Sequence, residues 1–306
     1  MSYPVLSITS NQILDDEQLG SKAKFWFEYN EQKWLFKEAR VITGGQLSGE
    51  DWTEKVAADI AALINIDAAK VELAMYQGRR GSASLNFIPA DNVHLEHGNE
   101  VLAGYLSSYD SAKKQHQSDH TLNNIIDAIQ HKFPASADYR AVLEKLASYM
   151  VLDAVIGNTD RHHENWGLFW QTLLFNADTQ TALWKKYDVA PSFDHASSLG
   201  RELLDEKRIQ IIETNTMDRY IRQGRGGIYW SRTDKHGVSP LLLVEKAVVA
   251  YPDYFRSALL MLSNTPLSAI QATLNDVPRE RASDVSKTFA KLLLEKTYER
   301  LIGLLT

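Results

Sequence analysis

An aspartate and an asparagine five residues apart, Asp160 and Asn165, stand in the segment Gly157-Asn158-Thr159-Asp160-Arg161-His162-His163-Glu164-Asn165-Trp166. The segment closes an apolar run of helical spacing and opens an alternating one, so the pair falls in a loop between a helix and a strand. Phosphoryl transfer uses that arrangement: the carboxylate accepts the proton of a hydroxyl, and the amide oxygen holds a magnesium ion. A second acidic signal ends the segment Tyr187-Asp188-Val189-Ala190-Pro191-Ser192-Phe193-Asp194-His195. Asp194 there is suited to hold metal against phosphates. With Asn165 it supplies the hard oxygen ligands that magnesium prefers. Arg161 is expected to balance charge near the transferred group, and His162 to fix the loop by hydrogen bonding. His163 and Glu164 are expected to face solvent. A metallohydrolase built from Asp160, His162, His163 and Asp194 is disfavoured, because adjacent histidines do not share a helix face and no H-E-x-x-H occurs. No G-x-S-x-G marks a serine nucleophile.

These loops need a phosphate-binding wall opposite them. Lys24 to Tyr29 is aromatic and strand-like, Asn30-Glu31-Gln32 reads as a turn, and Lys33 to Lys37 as the returning strand. Lys37 ends a strand of otherwise apolar residues, where an ammonium can reach into a cleft and pair with phosphates. At the hairpin entrance, Gly20 permits close backbone approach and Ser21 and Lys22 supply donors. The same stretch also reads as an ordinary solvated turn. Such a lysine needs a carboxylate partner on a helix. Ser48 and Asp51 look like a helix start, followed by Trp52, Val56, Ile60 and Leu63 or Ile64 at helical spacing. Glu54, beside Ala57 and Ala61 at the edge of that stripe, is the expected partner, with Glu50 as competitor. Two further strands, Val71 to Tyr76 and Ser84 to Ile88, precede a break at residues 89–92. Phe87, Ile88 and Ala90 there are the candidates for a hinge that binds an adenine edge through its backbone.

The remainder reads as mostly helical. Helices are expected over Leu122 to His131, Tyr139 to Ile156 and Ser283 to Leu304. Asp153, inside the second, is expected to anchor the loop that follows, since a buried carboxylate needs donors. A hairpin of Trp166–Trp170 and Leu183–Tyr187, with an exposed tip at Asn176 to Gln180, should separate the two metal ligands. Residues 196–240 carry Arg201, Arg208, Arg219, Arg222 and Arg225 with Gly224, Gly226 and Gly227. They read either as a substrate-binding cover or as a mobile surface loop.

Composition bounds the rest. A chain of 306 residues with a formal net charge of −6 can form two lobes and a cleft, and lacks the overall basic balance of a nucleic-acid binder. With no cysteine there is no disulfide, thiolate nucleophile or Cys-ligated zinc. Neither a secretory leader nor a membrane span is expected, because the start is not basic and no apolar run approaches the ~20 residues required.

The motifs N-x-D-R-H-x-x-N (Asn158 to Asn165) and A-P-x-x-D (Ala190 to Asp194), with Leu35-Phe36-Lys37-Glu38 upstream, resemble those of HipA-like serine/threonine kinases. The D-R-H-x-x-N core is also similar to the catalytic loop of phosphoinositide kinases. The resemblance implies an α+β, two-lobed protein-kinase-like fold: a small mixed N-lobe with an antiparallel sheet over residues 1–90, and a mostly helical C-lobe over residues 91–306. It implies ATP and Mg²⁺ as cofactors and a protein hydroxyl as acceptor, including autophosphorylation. Asp160, Lys37, Arg161 and His162 would be the catalytic set. Gly20, Ser21, Lys22, Lys37, Glu54, Phe87, Ile88 and Ala90 would bind nucleotide, and Asn165 and Asp194 metal. An antitoxin-like or host partner and a bacterial cytoplasmic location, with delivery into a host as the variant, are its further implications. Two other readings stay open: a phosphoinositide or small-alcohol kinase, and a catalytically weak nucleotide-binding protein. Compared with full HipA toxins, no extra N-terminal subdomain is expected, no D-F-G is present, and Ala190-Pro191 precedes the metal aspartate.

Overall fold

The computed structural model of the chain describes residues 2–16, 24–42, 45–114, 116–133 and 136–305. Gly20, Ser21 and Lys22 lie outside the described residues. The first part is a six-stranded sheet built from β1 (Val5–Ile8), β2 (Ile13–Asp16), β3 (Lys24–Tyr29), β4 (Gln32–Glu38), β5 (Val71–Tyr76) and β6 (Arg79–Leu85), in the order β1-β5-β6-β4-β3-β2. All neighbours run antiparallel except β1 and β5. The expected hairpin is present: β3 and β4 pair from Lys24 with Lys37 to Tyr29 with Gln32. Alternation in Phe25, Phe27, Trp34 and Phe36 buries one face of these strands. Gly81 of β6 lets β4 come close, because a Cβ there would sit 2.2 Å from the Lys37 carbonyl oxygen.

Helix α1 (Glu50–Leu63) packs on β5 and β6. Its stripe of Trp52, Val56, Ile60 and Ile64 is buried, whereas Leu63 is exposed. The start differs from expectation. Gly49 is the N-cap residue, and the Ser48 hydroxyl is buried without a hydrogen bond among the described residues.

A second, three-stranded sheet contains β7 (Val93–His97), β8 (Gly167–Asn176) and β9 (Thr181–Val189), in that order. The helices are α2 (Gly98–Tyr105), α3 (Leu122–Lys132), α4 (Ser136–Ile156), α5 (Asp205–Glu213), α6 (Met217–Gln223), α7 (Pro240–Ala250), α8 (Pro252–Ser263), α9 (Leu267–Ala272) and α10 (Asp284–Ile302). Thr121 caps α3 by accepting from the Asn124 N–H, as a threonine at that position should. Helix α4 is the central pillar. Val151, Leu152, Val155 and Ile156 are fully buried, and it packs against α3, α7, α8 and α10.

The large core is continuous from α1 and Leu73 into these helices. A smaller core, with Phe25, Phe27, Trp34 and Phe36, fills the other side of the first sheet. Buried ionic contacts also join the two parts. Asp51 at the start of α1 accepts from Arg281 at 2.5 Å and from Nε and Nη2 of Arg80, at 2.9 and 2.8 Å. Among the described residues, no helix is long and apolar enough to cross a membrane.

Candidate active site

The site forms where the end of β4, the loop between α4 and β8, and the segment after β9 meet. Lys37 reaches across from β4 to Asp194, Nζ to Oδ1 3.1 Å. Asp194 has φ +60°, a left-handed backbone that aspartate adopts more readily than most residues. The cleft walls push its carboxyl pKa upward, but the adjacent Lys37 charge outweighs them and draws it down to about 2.

The loop between α4 and β8 is a tight hydrogen-bonded turn. The Asp160 carbonyl accepts from the His162 N–H at 2.8 Å and from Asn165 Nδ2 at 2.7 Å. Asn165 thus spends its amide nitrogen on the loop and keeps Oδ1 as the atom suited to a cation. Asp160 itself is exposed at the cleft. Partial withdrawal from water by the cleft walls, with repulsion from Asp194, holds its carboxyl above the ordinary range, against the pull of His162 and Arg201. The Ser197 hydroxyl lies 3.4 Å from Asp160 Oδ2 and accepts from Arg201 Nη2 at 3.0 Å. A hydroxyl can therefore approach this carboxylate.

One buried pair couples the two loops. Arg161 donates to Asp153 twice, Nε to Oδ2 at 2.7 Å and Nη2 to Oδ1 at 2.8 Å. The same guanidinium donates to the Asn165 carbonyl at 2.6 Å, the Ser192 hydroxyl at 2.9 Å and the Phe193 carbonyl at 3.3 Å. Asp153 also accepts from Asn158 Nδ2 at 2.7 Å. Asp153 is thus an anchor, as its place in the helix suggested. Arg161 is not the cleft-facing cation expected from sequence. Its side chain is 5% exposed, because the carboxylate of Asp153 and three further acceptors hold it inside.

Two other expectations are corrected. Glu54 does not pair with Lys37. Its Oε1 accepts the His195 N–H at 3.0 Å, and Oε2 is buried with no hydrogen bond among the described residues. The reason is geometric: α1 places Glu54 against the segment just after Asp194, and Lys37 meets that aspartate directly. Glu50, the competitor, binds Arg201 Nη1 at 2.6 Å and the Arg40 N–H at 3.0 Å. His163 is 1% exposed and not solvent-facing, because Tyr109 binds its Nδ1 at 2.7 Å. Glu164 is half-buried and pairs with Lys114 at 3.3 Å. His162 accepts the Glu164 N–H at 3.1 Å and stands at the edge of the cleft.

Phe87, Ile88 and Ala90 lie in the link between β6 and β7. The Phe87 ring stacks on Phe193, the residue before Asp194, at 5.2 Å. Ile88 donates its N–H to Asn86 Oδ1 at 3.2 Å, and the Ala90 carbonyl accepts from the Val93 N–H at 3.0 Å. His120, which sequence reasoning did not single out, supports the loop from behind. It accepts from Trp166 Nε1 at 3.1 Å and contacts the Gly227 carbonyl through Nδ1 at 2.8 Å. Both contacts suit the neutral ring, and burial lowers its pKa to about 3.

Residues 18–235, most of the chain, match the HipA-like C-terminal domain. The chain belongs to this family. Among solved structures, it is similar to a proinflammatory kinase of Helicobacter pylori, CtkA, with a TM-score of 0.77 and 18% identity over 99% of this chain and 97% of that one. It is also similar to HipA of Shewanella oneidensis MR-1, solved with HipB and operator DNA, with a TM-score of 0.56 and 10% identity over 97% of this chain and 66% of that one. At these identities the likeness is one of fold, and the α+β kinase-like architecture expected from sequence is the one observed. No match is found among curated proteins.

Proposed function

We propose that this family member is an ATP- and Mg²⁺-dependent protein kinase that phosphorylates serine or threonine hydroxyls. One observation carries the reading: Lys37 pairs with Asp194, 157 positions further along the chain, while Arg161 ties the Asp194 loop to the loop of Asp160 and Asn165. Among the described residues no group of three His, Cys, Asp or Glu side chains could hold a metal. That donor set fits magnesium, which takes one or two protein carboxylates and completes its shell with phosphates and water.

Magnesium-bound ATP supplies the phosphoryl group when bound. Asp194 and Asn165 offer oxygen ligands to the cation, and Lys37 offers a point charge to the phosphates. Asp160 would accept the proton of the acceptor hydroxyl as that hydroxyl oxygen bonds to the γ-phosphorus, while the bond from this phosphorus to the bridging oxygen breaks and ADP leaves. A carboxyl held above its ordinary range is a better base for that task. The Phe87 to Ala90 link is the candidate for the adenine edge. Autophosphorylation and a regulatory protein partner are parts of the same reading. Incubation with γ-labelled ATP, magnesium and a bacterial lysate, followed by phosphoamino-acid analysis, tests it. Labelled serine or threonine supports it, and absence of any transfer counts against it.

A further inference from the structure

Beside Asp160 lies a cavity of about 220 Å³, to whose lining Lys37 does not contribute. Its walls come from three places: Lys114 with His116, Gln117 and His120, the Asp160 loop, and a strap within residues 225–237. The strap is pinned down. Gly226 donates its N–H to the Val238 carbonyl at 3.0 Å, Val238 donates to the Ile228 carbonyl at 3.1 Å, and Tyr229 donates to the His120 carbonyl at 2.9 Å. Gly227 must lack a side chain, because a Cβ there would sit 2.6 Å from the Arg161 backbone. The Gly- and Arg-containing stretch is thus a fixed wall of the site.

The lining chemistry is one-sided. Five of the chain's nine histidines, His116, His120, His162, His163 and His236, line this cavity together with Lys114 and Arg225. Asp160 is the sole carboxylate in the lining. This clustering stands out in a chain of net charge −6. A histidine cluster can serve a metal, but no group of three possible ligands among the described residues is arranged to hold one. His120 is not an available donor, because Trp166 and the Gly227 carbonyl hold its two nitrogens. The cations Lys114 and Arg225, with the rings of His116, His163 and His236, suit an anion. Lys114 is partly committed to Glu164, while Arg225 is exposed and has no ion pair among the described residues. The Tyr109 O–H, kept protonated by burial, can donate to His163 Nδ1. That leaves His163 Nε2 as an N–H, and this atom is buried with no hydrogen-bond partner among the described residues.

We infer that this cavity is the acceptor subsite and that it selects a serine or threonine flanked by acidic or phosphorylated residues in an extended peptide. The inference rests on the kinase reading for the word acceptor. An open, exposed rim of long cationic side chains suits a peptide, whose carboxylates can meet them without full desolvation.

Peptide binding tests this apart from catalysis. Two short fluorescent peptides, each with one central serine, carry glutamates or lysines on both sides. Fluorescence anisotropy with the wild-type protein should give on the order of tenfold tighter binding of the glutamate peptide, weakening as salt rises. Arg225→Glu combined with His236→Glu should abolish or reverse that preference. Both side chains are exposed, so folding should survive, and Arg225→Ala serves as a milder variant checked by thermal midpoint. Equal binding of both peptides, or a preference untouched by the charge reversal in folded protein, would overturn the inference. Binding of inositol phosphates at this cavity, with no binding of either peptide, would overturn the peptide assignment in favour of a small anionic alcohol. Arg225-dependent binding of the glutamate peptide without phosphate transfer to it would support the anion site and sink the kinase reading instead.

Discussion

Replacing Asp153 with alanine should destabilise the whole protein and not only the active site. The substitution leaves the Arg161 guanidinium charged in a place where its side chain is 5% exposed. Removing one partner of a buried ion pair costs about 3–5 kcal/mol, because the remaining charge is desolvated without compensation. Arg161 keeps three acceptors, Asn165 O, Ser192 Oγ and Phe193 O, which argues for the lower half of that range. Unfolding entropy near 2.1 cal/mol/K per residue gives roughly 0.6 kcal/mol/K for a chain of this length, so Tm should fall by about 5–6 °C. Scanning calorimetry of Asp153→Ala, Arg161→Ala and the double variant measures this. The double variant should cost less than the sum of the singles, since each single already breaks the same pair. A Tm within about 2 °C of wild type for Asp153→Ala, or strictly additive losses, would refute the view that this pair joins the two loops.

Other outcomes follow from the same geometry. Lys37→Ala and Asp194→Ala should each remove most of the thermal stabilisation given by ATP with magnesium, since a ligand stabilises only the state that binds it; unchanged stabilisation in both would place the nucleotide elsewhere. The acid limb of the turnover-against-pH profile should lie above the ordinary carboxylate range, because Asp160 works as a base only when ionised and its pKa is raised; a limb at or below the ordinary aspartate value would assign it to another group. His120 is neutral in the fold with a pKa of about 3 and ordinarily near 6.5, so the unfolded chain binds more protons between those values. Stability should therefore fall as pH drops from about 6.5 towards 3, and a His120→Gln variant should lose part of that slope in urea titrations; an unchanged slope would remove His120 as its source.

Legibility in the sequence tracked how local each interaction is. Asp160 and Asn165 share one tight turn, so five residues of spacing suffice to bring them together. The β3–β4 hairpin and the α1 stripe were likewise readable from alternation and helical period. Lys37 and Asp194 lie far apart in the chain, and their direct pairing was not read: the expected partner of Lys37 was Glu54. Strand β1 went unread because it is four residues long and pairs in parallel with β5, leaving no hairpin turn to betray it. The misread residues are those whose fate depends on a distant neighbour. Arg161 looked like a cleft cation until Asp153 and three carbonyl or hydroxyl acceptors drew it inward. Glu54 was aimed at Lys37 but found the His195 N–H. His163 looked solvent-facing until Tyr109 covered it. Adjacent signals did exist: an arginine eight residues after an aspartate buried in an apolar helix end is a candidate pair.

Asp160 is the residue on which the proposed phosphoryl transfer depends most directly. Purified wild-type protein and Asp160→Asn, each with γ-labelled ATP, magnesium and an acceptor lysate, give the decisive comparison. Labelled serine or threonine is expected with wild type and a loss on the order of 10²- to 10⁴-fold with the variant, the usual weight of general-base catalysis, while nucleotide-dependent stabilisation persists. Transfer by Asp160→Asn at the wild-type rate, or Asp160-dependent labelling of lipid with no labelled protein hydroxyl, would contradict this expectation.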